Sequence, residues 1–251
     1  MSTDPSIAPT APTEVRGRLA LALDLDDLVA ATRLARELQP WFGVVKVGLE
    51  LFSANGPDAI SAMRDMGLDV FADLKLHDIP TTVGKSAKVL GSLGASYLTL
   101  HAHGDVPMLR AGVEGLADGA ESVGLPPPMA LAVTVLTSDG DAPPHILPKR
   151  VRMAVEAGCG GIVCAAGDVV EAKQYAPRLT AVVPGIRLAG TARHDQARAA
   201  TPAEAVEAGA DLLVIGRAVT QADEPRDAAA AIAAEVGAAV GRGAPAADAP
   251  S

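Results

Sequence analysis

The string Asp73-Leu74-Lys75-Leu76-His77-Asp78-Ile79-Pro80 packs two carboxylates and an ammonium into a very short stretch. It follows an apolar run, residues 68–71, that reads as a buried strand. Side chains two apart on a strand share a face. Asp73 and Lys75 therefore point the same way at the carboxyl end of that strand, and Asp78 lies just beyond, in a turn closed by Pro80. Charges this close are costly at the end of an apolar strand unless a ligand or a reaction uses them. The plain alternative is a surface salt-bridge cluster before a helix, and the apolar strand carrying Asp-x-Lys argues against it.

Such a set needs a scaffold that brings several strand ends together. Short apolar runs at 19–23, 44–47, 69–74, 97–101, 130–135, 161–164, 181–183 and 212–215 read as eight strands. Helical composition fills segments between and after them, including 28–38, 57–66, 81–93 and 203–208. Alternation of this kind predicts parallel β-α units. Eight units in about 225 residues fit an α/β fold of the closed (β/α)8 TIM barrel type, in one domain, better than a doubly wound sheet. The expected division is a disordered tail over 1–16, the barrel over 17–240 and a second disordered tail over 241–251.

A barrel gathers the carboxyl ends of its strands on one face. Asp24 ends the first predicted strand, Lys46 lies on the second, and Asp73 and Lys75 end the third. The fourth runs into His101-Ala102-His103-Gly104, the fifth is followed by Thr137-Ser138, the seventh by Pro184-Gly185-Ile186-Arg187, and the eighth ends at Gly216-Arg217. The sixth, ending at Cys164-Ala165, offers nothing obvious. Phosphate in barrels commonly binds after strands seven and eight. Glycines 185 and 216 let backbone N–H groups approach an anion there, and Arg187 or Arg217 can hold one through a two-pronged fork. Gln196 could add an amide donor from the loop 187–200, which reads as a lid.

Composition narrows the classes further. Apolar residues make up 49% of the 251, enough for a sizeable core, while aromatics are only 2%. A net charge of −9 argues against general binding to nucleic acid or a membrane surface. No apolar run approaches the length of a membrane span, and the N-terminus lacks a secretory apolar core, so a cytoplasmic location is expected. Cys159 and Cys164 read as reduced structural residues. Gly84-Lys85-Ser86 lacks the upstream glycine of a phosphate-binding P-loop and falls inside a predicted helix. Asp26 or Asp27 reads as the cap of the helix that follows. No zinc spacing, dinucleotide fingerprint or Gly-x-Ser-x-Gly elbow is present, so neither metal nor cofactor is expected.

Taken together these motifs resemble the orotidine 5′-monophosphate decarboxylase family. The matching strings are Ala22-Leu23-Asp24, Lys46-Val47-Gly48, the eight residues from Asp73 to Pro80, Leu136-Thr137-Ser138, Pro184-Gly185-Ile186-Arg187, Asp195-Gln196 and Ile215-Gly216-Arg217. They occur in family order over about residues 18–236. The resemblance implies a lyase of pyrimidine biosynthesis that converts orotidine 5′-monophosphate to UMP and CO2 without a cofactor. It also implies a homodimer with shared active sites. Lys46, Asp73, Lys75 and Asp78 would form a charged network, with Asp73 against the substrate carboxylate and Lys75 protonating C6. Asp78 would reach in from the other subunit. Asp24 and Lys46 would hold ribose hydroxyls, and Thr137 would lie near the ribose and pyrimidine. Gln196, Gly216 and Arg217 would bind phosphate, with Pro184 and Arg187 in the closing loop. One departure, Gly190-Thr191-Ala192-Arg193-His194, replaces a more acidic run and bears on lid closure. The rivals are a magnesium-dependent sugar-phosphate decarboxylase or aldolase with the same Asp-x-Lys-x-x-Asp, which Lys46 disfavours, and a barrel that only binds nucleotides.

Overall fold

The computed structural model describes residues 10–136, 139, 141–188 and 199–243. Eight parallel strands close on themselves in sequence order, β1 (Leu19–Leu23), β2 (Val44–Gly48), β3 (Asp69–Leu76), β4 (Ala95–His101), β5 (Met129–Val133), β6 (Gly161–Val163), β7 (Thr180–Val183) and β8 (Leu212–Ile215), with β8 pairing back onto β1. The helices are α1 (Thr13–Gly17), α2 (Leu28–Leu38), α3 (Leu49–Asn55), α4 (Asp58–Asp65), α5 (Pro80–Leu93), α6 (Asp105–Glu121), α7 (Ile146–Ala157), α8 (Val169–Tyr175), α9 (Pro202–Glu207), α10 (Arg217–Thr220) and α11 (Pro225–Gly243). The expected single-domain (β/α)8 barrel is therefore the observed fold.

The strands read as unbroken apolar runs because both of their faces are covered. Alternate residues serve different cores. Leu19, Leu21, Leu23, Val45, Val47, Val70 and Ala72 join the layer between strands and helices. Ala20, Ala22, Val44, Phe71, Leu131, Val182, Leu212 and Val214 form a second, separate cluster that fills the barrel's interior. Phe71 and Tyr97 meet there edge to face, with ring centroids 6.1 Å apart. Continuing that interior parity toward the carboxyl ends gives Asp24, Lys46, Asp73 and Thr99. The charged residues are thus the interior set's own top layer.

Helix starts follow the expected chemistry. Asp27 caps α2, its Oδ1 accepting the N–H groups of Val29 at 2.7 Å and Ala30 at 3.0 Å. Gly84-Lys85-Ser86 lies within α5, which begins with Pro80 at its first turn. The N-terminal boundary differs from the expectation. Residues of the supposed tail form α1, which seats Val15 in the core, and the Ala11 N–H donates to the Pro40 carbonyl at 3.0 Å. At the other end α11 runs to Gly243, past the expected limit of 240. A periodicity reading has no hold on a single-turn helix held by one buried valine.

Candidate active site

The interior top layer carries a continuous charged chain. Lys46 Nζ on β2 donates to Asp24 Oδ1 at 3.1 Å and lies 3.7 Å from Asp73 Oδ2. Lys75 Nζ donates to Asp73 Oδ1 at 2.8 Å. The side chains of Lys46 and Asp73 are only 11% and 14% exposed. Burial by itself would raise the Asp73 pKa, but the two ammoniums, with hydrogen bonds from Lys75 and the Thr99 hydroxyl, outweigh it and hold the carboxyl below its ordinary value. Asp73 is thereby kept ionised in a place where an isolated carboxylate would not be.

The end of β3 is not a regular strand. Its ladder to β4 shifts between Ala72 and Leu76, and Lys75 takes a left-handed φ of 49°. Such a backbone costs a side-chain-bearing residue roughly 1–2 kcal/mol. From this backbone the Lys75 ammonium reaches Asp73 Oδ1 at 2.8 Å.

Lys46, Asp73 and Lys75 line a cavity of about 140 Å³ with Pro184, Cys164, Leu136 and an apolar wall of Phe71, Val133, Val163 and Val214. Cys164 corrects the expectation that strand six gives nothing, since it closes one side of this cavity. The apolar wall was not singled out from the sequence, because valines on a barrel strand are ordinary core residues. A larger depression of about 370 Å³, near Asp69 and Met129, opens where β3 and β5 begin, away from these groups. Volume alone does not mark the reactive end; charge does.

The residues expected on the phosphate side follow β7 and β8. A Cβ on Gly216 would lie 3.5 Å from Ala22 Cβ and 3.8 Å from Asp24 Oδ2. Gly216, the residue before α10, therefore stands beside Asp24, and Arg217 opens that helix. Arg187 is buried and donates to its neighbour Ile186's carbonyl at 2.8 Å. The base of the predicted lid is pinned by a bridge between Ile186 and Ala200, with the Arg187 N–H donating to the Ala200 carbonyl at 2.9 Å. Thr137 and Gln196, and the altered stretch 190–194, lie outside the described residues.

Asp78 stands apart. It is exposed, its Oδ1 accepts the Ile79 N–H at 2.6 Å, and it does not join the Asp24–Lys46–Asp73–Lys75 chain within this polypeptide. Beside it, His77, His101 and His103 cluster with ring centroids 5.6–6.3 Å apart around a cavity of about 260 Å³, which Arg150 and Asp139 also line. Arg150 donates to the Thr134 carbonyl and sits 3.4 Å from His103 Nδ1.

The profile of the orotidine 5′-phosphate decarboxylase / HUMPS family matches residues 17–232. The chain belongs to that family. A relative from Anaeromyxobacter sp. (strain K), named orotidine 5′-phosphate decarboxylase, is 47% identical over 228 residues, covering 86% of this chain and 97% of its own. One of the same name from Moorella thermoacetica is 41% identical over 233 residues, covering 88% and 92%. Among solved structures, orotidine 5′-phosphate decarboxylase from Lactobacillus acidophilus superposes with a TM-score of 0.72 at 33% identity, covering 87% of this chain and 98% of that one. Family membership agrees with the resemblance read from the motifs. It also covers the part of the chain that carries every candidate site residue.

Proposed function

We propose that this member of the orotidine 5′-phosphate decarboxylase / HUMPS family converts orotidine 5′-monophosphate to UMP and CO2 in pyrimidine nucleotide synthesis. The observation that carries the reading is the Lys46–Asp73–Lys75 chain, with Asp73 held ionised against an ammonium 2.8 Å away. In the reaction the bond from C6 to the carboxylate breaks, CO2 leaves, and the electron pair stays on C6 as a carbanion. Lys75 stabilises that charge and then delivers its own proton to C6. Asp73 repels a carboxylate placed beside it, and that repulsion ends when neutral CO2 departs. The apolar wall of Phe71, Val133, Val163 and Val214 keeps the pocket poor in water, which strengthens each charge interaction.

Asp24 and Lys46 hold the ribose, Thr137 lies along the ribose and pyrimidine, and Gly216, Arg217 and Gln196 take the phosphate. Pro184 and Arg187 belong to the closing loop. Binding energy at the phosphate, remote from C6, drives closure and lowers the barrier. The chemistry calls for no metal: Lys46 sets an ammonium between Asp24 and Asp73, where a magnesium-dependent sugar-phosphate enzyme would need acidic ligands. The reading includes a homodimer in which Asp78 completes the partner's site, and a cytoplasmic location, where thiols such as Cys159 and Cys164 stay reduced.

The test is orotidine monophosphate turnover, followed by ultraviolet absorbance in the presence of EDTA, with equal release of UMP and CO2 expected. No turnover of this nucleotide, together with magnesium-dependent turnover of a sugar phosphate, would replace the reading.

A further inference from the structure

β3 carries two more residues than β4 at the top of the barrel: Ala72 pairs with Leu98, and the next pair is Leu76 with Leu100. Asp73, Leu74 and Lys75 fill the stretch between those pairs on β3, and Thr99 alone fills it on β4. Thr99 is fully buried. Its Oγ1 accepts the Lys75 backbone N–H at 2.9 Å and donates its proton to Asp73 Oδ1 at 3.0 Å. The roles cannot be exchanged, because a backbone N–H only donates and an ionised carboxylate only accepts. One hydroxyl thus closes a ring through the Lys75 backbone, the Asp73 carboxylate and the Lys75 ammonium, which returns to the same Oδ1 at 2.8 Å.

We propose that Thr99 is a positioning residue for the reaction: it holds Lys75 in its left-handed backbone and fixes the Asp73 carboxylate against the Lys75 ammonium. This rests on the decarboxylase reading above. The left-handed turn deprives the Lys75 N–H of a ladder acceptor, and Thr99 supplies one. Without the hydroxyl, that N–H loses its acceptor, and the turn that aims the ammonium loses its anchor. A displacement of about 1 Å at a reacting group can cost roughly a hundredfold in rate. Thr99 reaches no open cavity of its own, so substrate affinity should be spared.

Thr99→Val removes the hydroxyl at similar size, and Thr99→Ser keeps it. The expected result is a kcat for orotidine monophosphate at least tenfold lower in Thr99→Val, with KM and the UMP dissociation constant within threefold of wild type, and Thr99→Ser within threefold of wild-type kcat. Should Thr99→Val not fold, Thr99→Cys, close in size and a weak donor and acceptor, must show the same kcat-selective loss. A kcat within threefold of wild type in the hydroxyl-free variant overturns the proposal, as does a loss confined to KM, or an equal loss in Thr99→Ser. Failure of the wild type to turn over the nucleotide rejects the decarboxylase reading instead. The crystal structure of the same variant then decides the positioning alone: a Lys75 that leaves its left-handed φ supports it, and an unchanged Lys75–Asp73 contact overturns it.

Discussion

Lys75 and Arg217 are expected to fail in different ways when removed, and the difference separates chemistry from binding. Lys75 has its ammonium on Asp73, at the wall of the inner cavity. Lys75→Ala should lower kcat by a hundredfold or more, the usual contribution of a placed proton donor, while UMP binding stays measurable by calorimetry. Retention of a tenth of wild-type kcat would remove Lys75 from its role. Arg217 opens α10, directly after Gly216, whose added Cβ would lie 3.8 Å from Asp24 Oδ2. Arg217→Ala should cost roughly 2–5 kcal/mol in kcat/KM for the nucleotide and leave the phosphate-free nucleoside nearly indifferent. Equal losses for both substrates would make Arg217 structural. A third residue reports on acid. Burial, then the charges of Arg150, His77, His103 and Lys75, push His101 below its ordinary imidazole value. A depressed folded value means that this stability is whole above about pH 6.5, the unfolded value, and is lost as pH falls through the folded one. Melting temperature should therefore drop on acidification below about 6.5, and His101→Asn should flatten that drop. These charged residues were legible because charge at an apolar strand end is anomalous. Thr99 was not, because a threonine on a strand is common and only the register shift gives it work.

At the level of elements, the barrel strands were readable because each is a short apolar run covered on both faces, and the observed strands fall within two residues of the expected ends. The register shift in β3 was not readable, since it depends on how β4 lies beside it. Nor was the seam between α5 and α6, which flank the β3 and β4 ends. A Cβ on Gly115 would come within 2.1 Å of the Gly84 carbonyl oxygen, and one on Gly119 within 2.0 Å of the Lys88 carbonyl oxygen. Both obstacles are backbone, so a methyl there forces the helices apart. Gly115→Ala should destabilise the fold by about 1–3 kcal/mol or more by overpacking, whereas Gly17→Ala, where the added carbon meets nothing, should change little. Because α5 begins at Pro80, two residues after Asp78, spreading the seam should also reduce kcat. Paired melting curves and kinetics of the two variants check this, and a Gly115→Ala protein as stable as Gly17→Ala would refute the tight seam.

For the whole molecule, the question is whether one polypeptide makes one site. Within a single chain Asp78 is exposed, spends its Oδ1 on the Ile79 N–H, and stays off the charged chain, while neighbouring Ile79 is 65% exposed. An exposed apolar residue next to a carboxylate outside the charged chain fits a loop that docks on a second copy across a two-fold axis. The Lys75→Ala and Asp78→Ala proteins should each be strongly impaired. When the two proteins are mixed and allowed to exchange subunits, a shared-site heterodimer holds one doubly altered site and one wholly wild-type site. Random pairing makes about half the dimers mixed, and half of their sites intact, so activity should return to about a quarter of wild type. If Asp78 works within its own chain, every site in the heterodimer still carries one change and mixing restores nothing. A tag pull-down that confirms exchange makes that outcome decisive. It would retire the shared site and leave the Lys46–Asp73–Lys75 chemistry standing within each barrel.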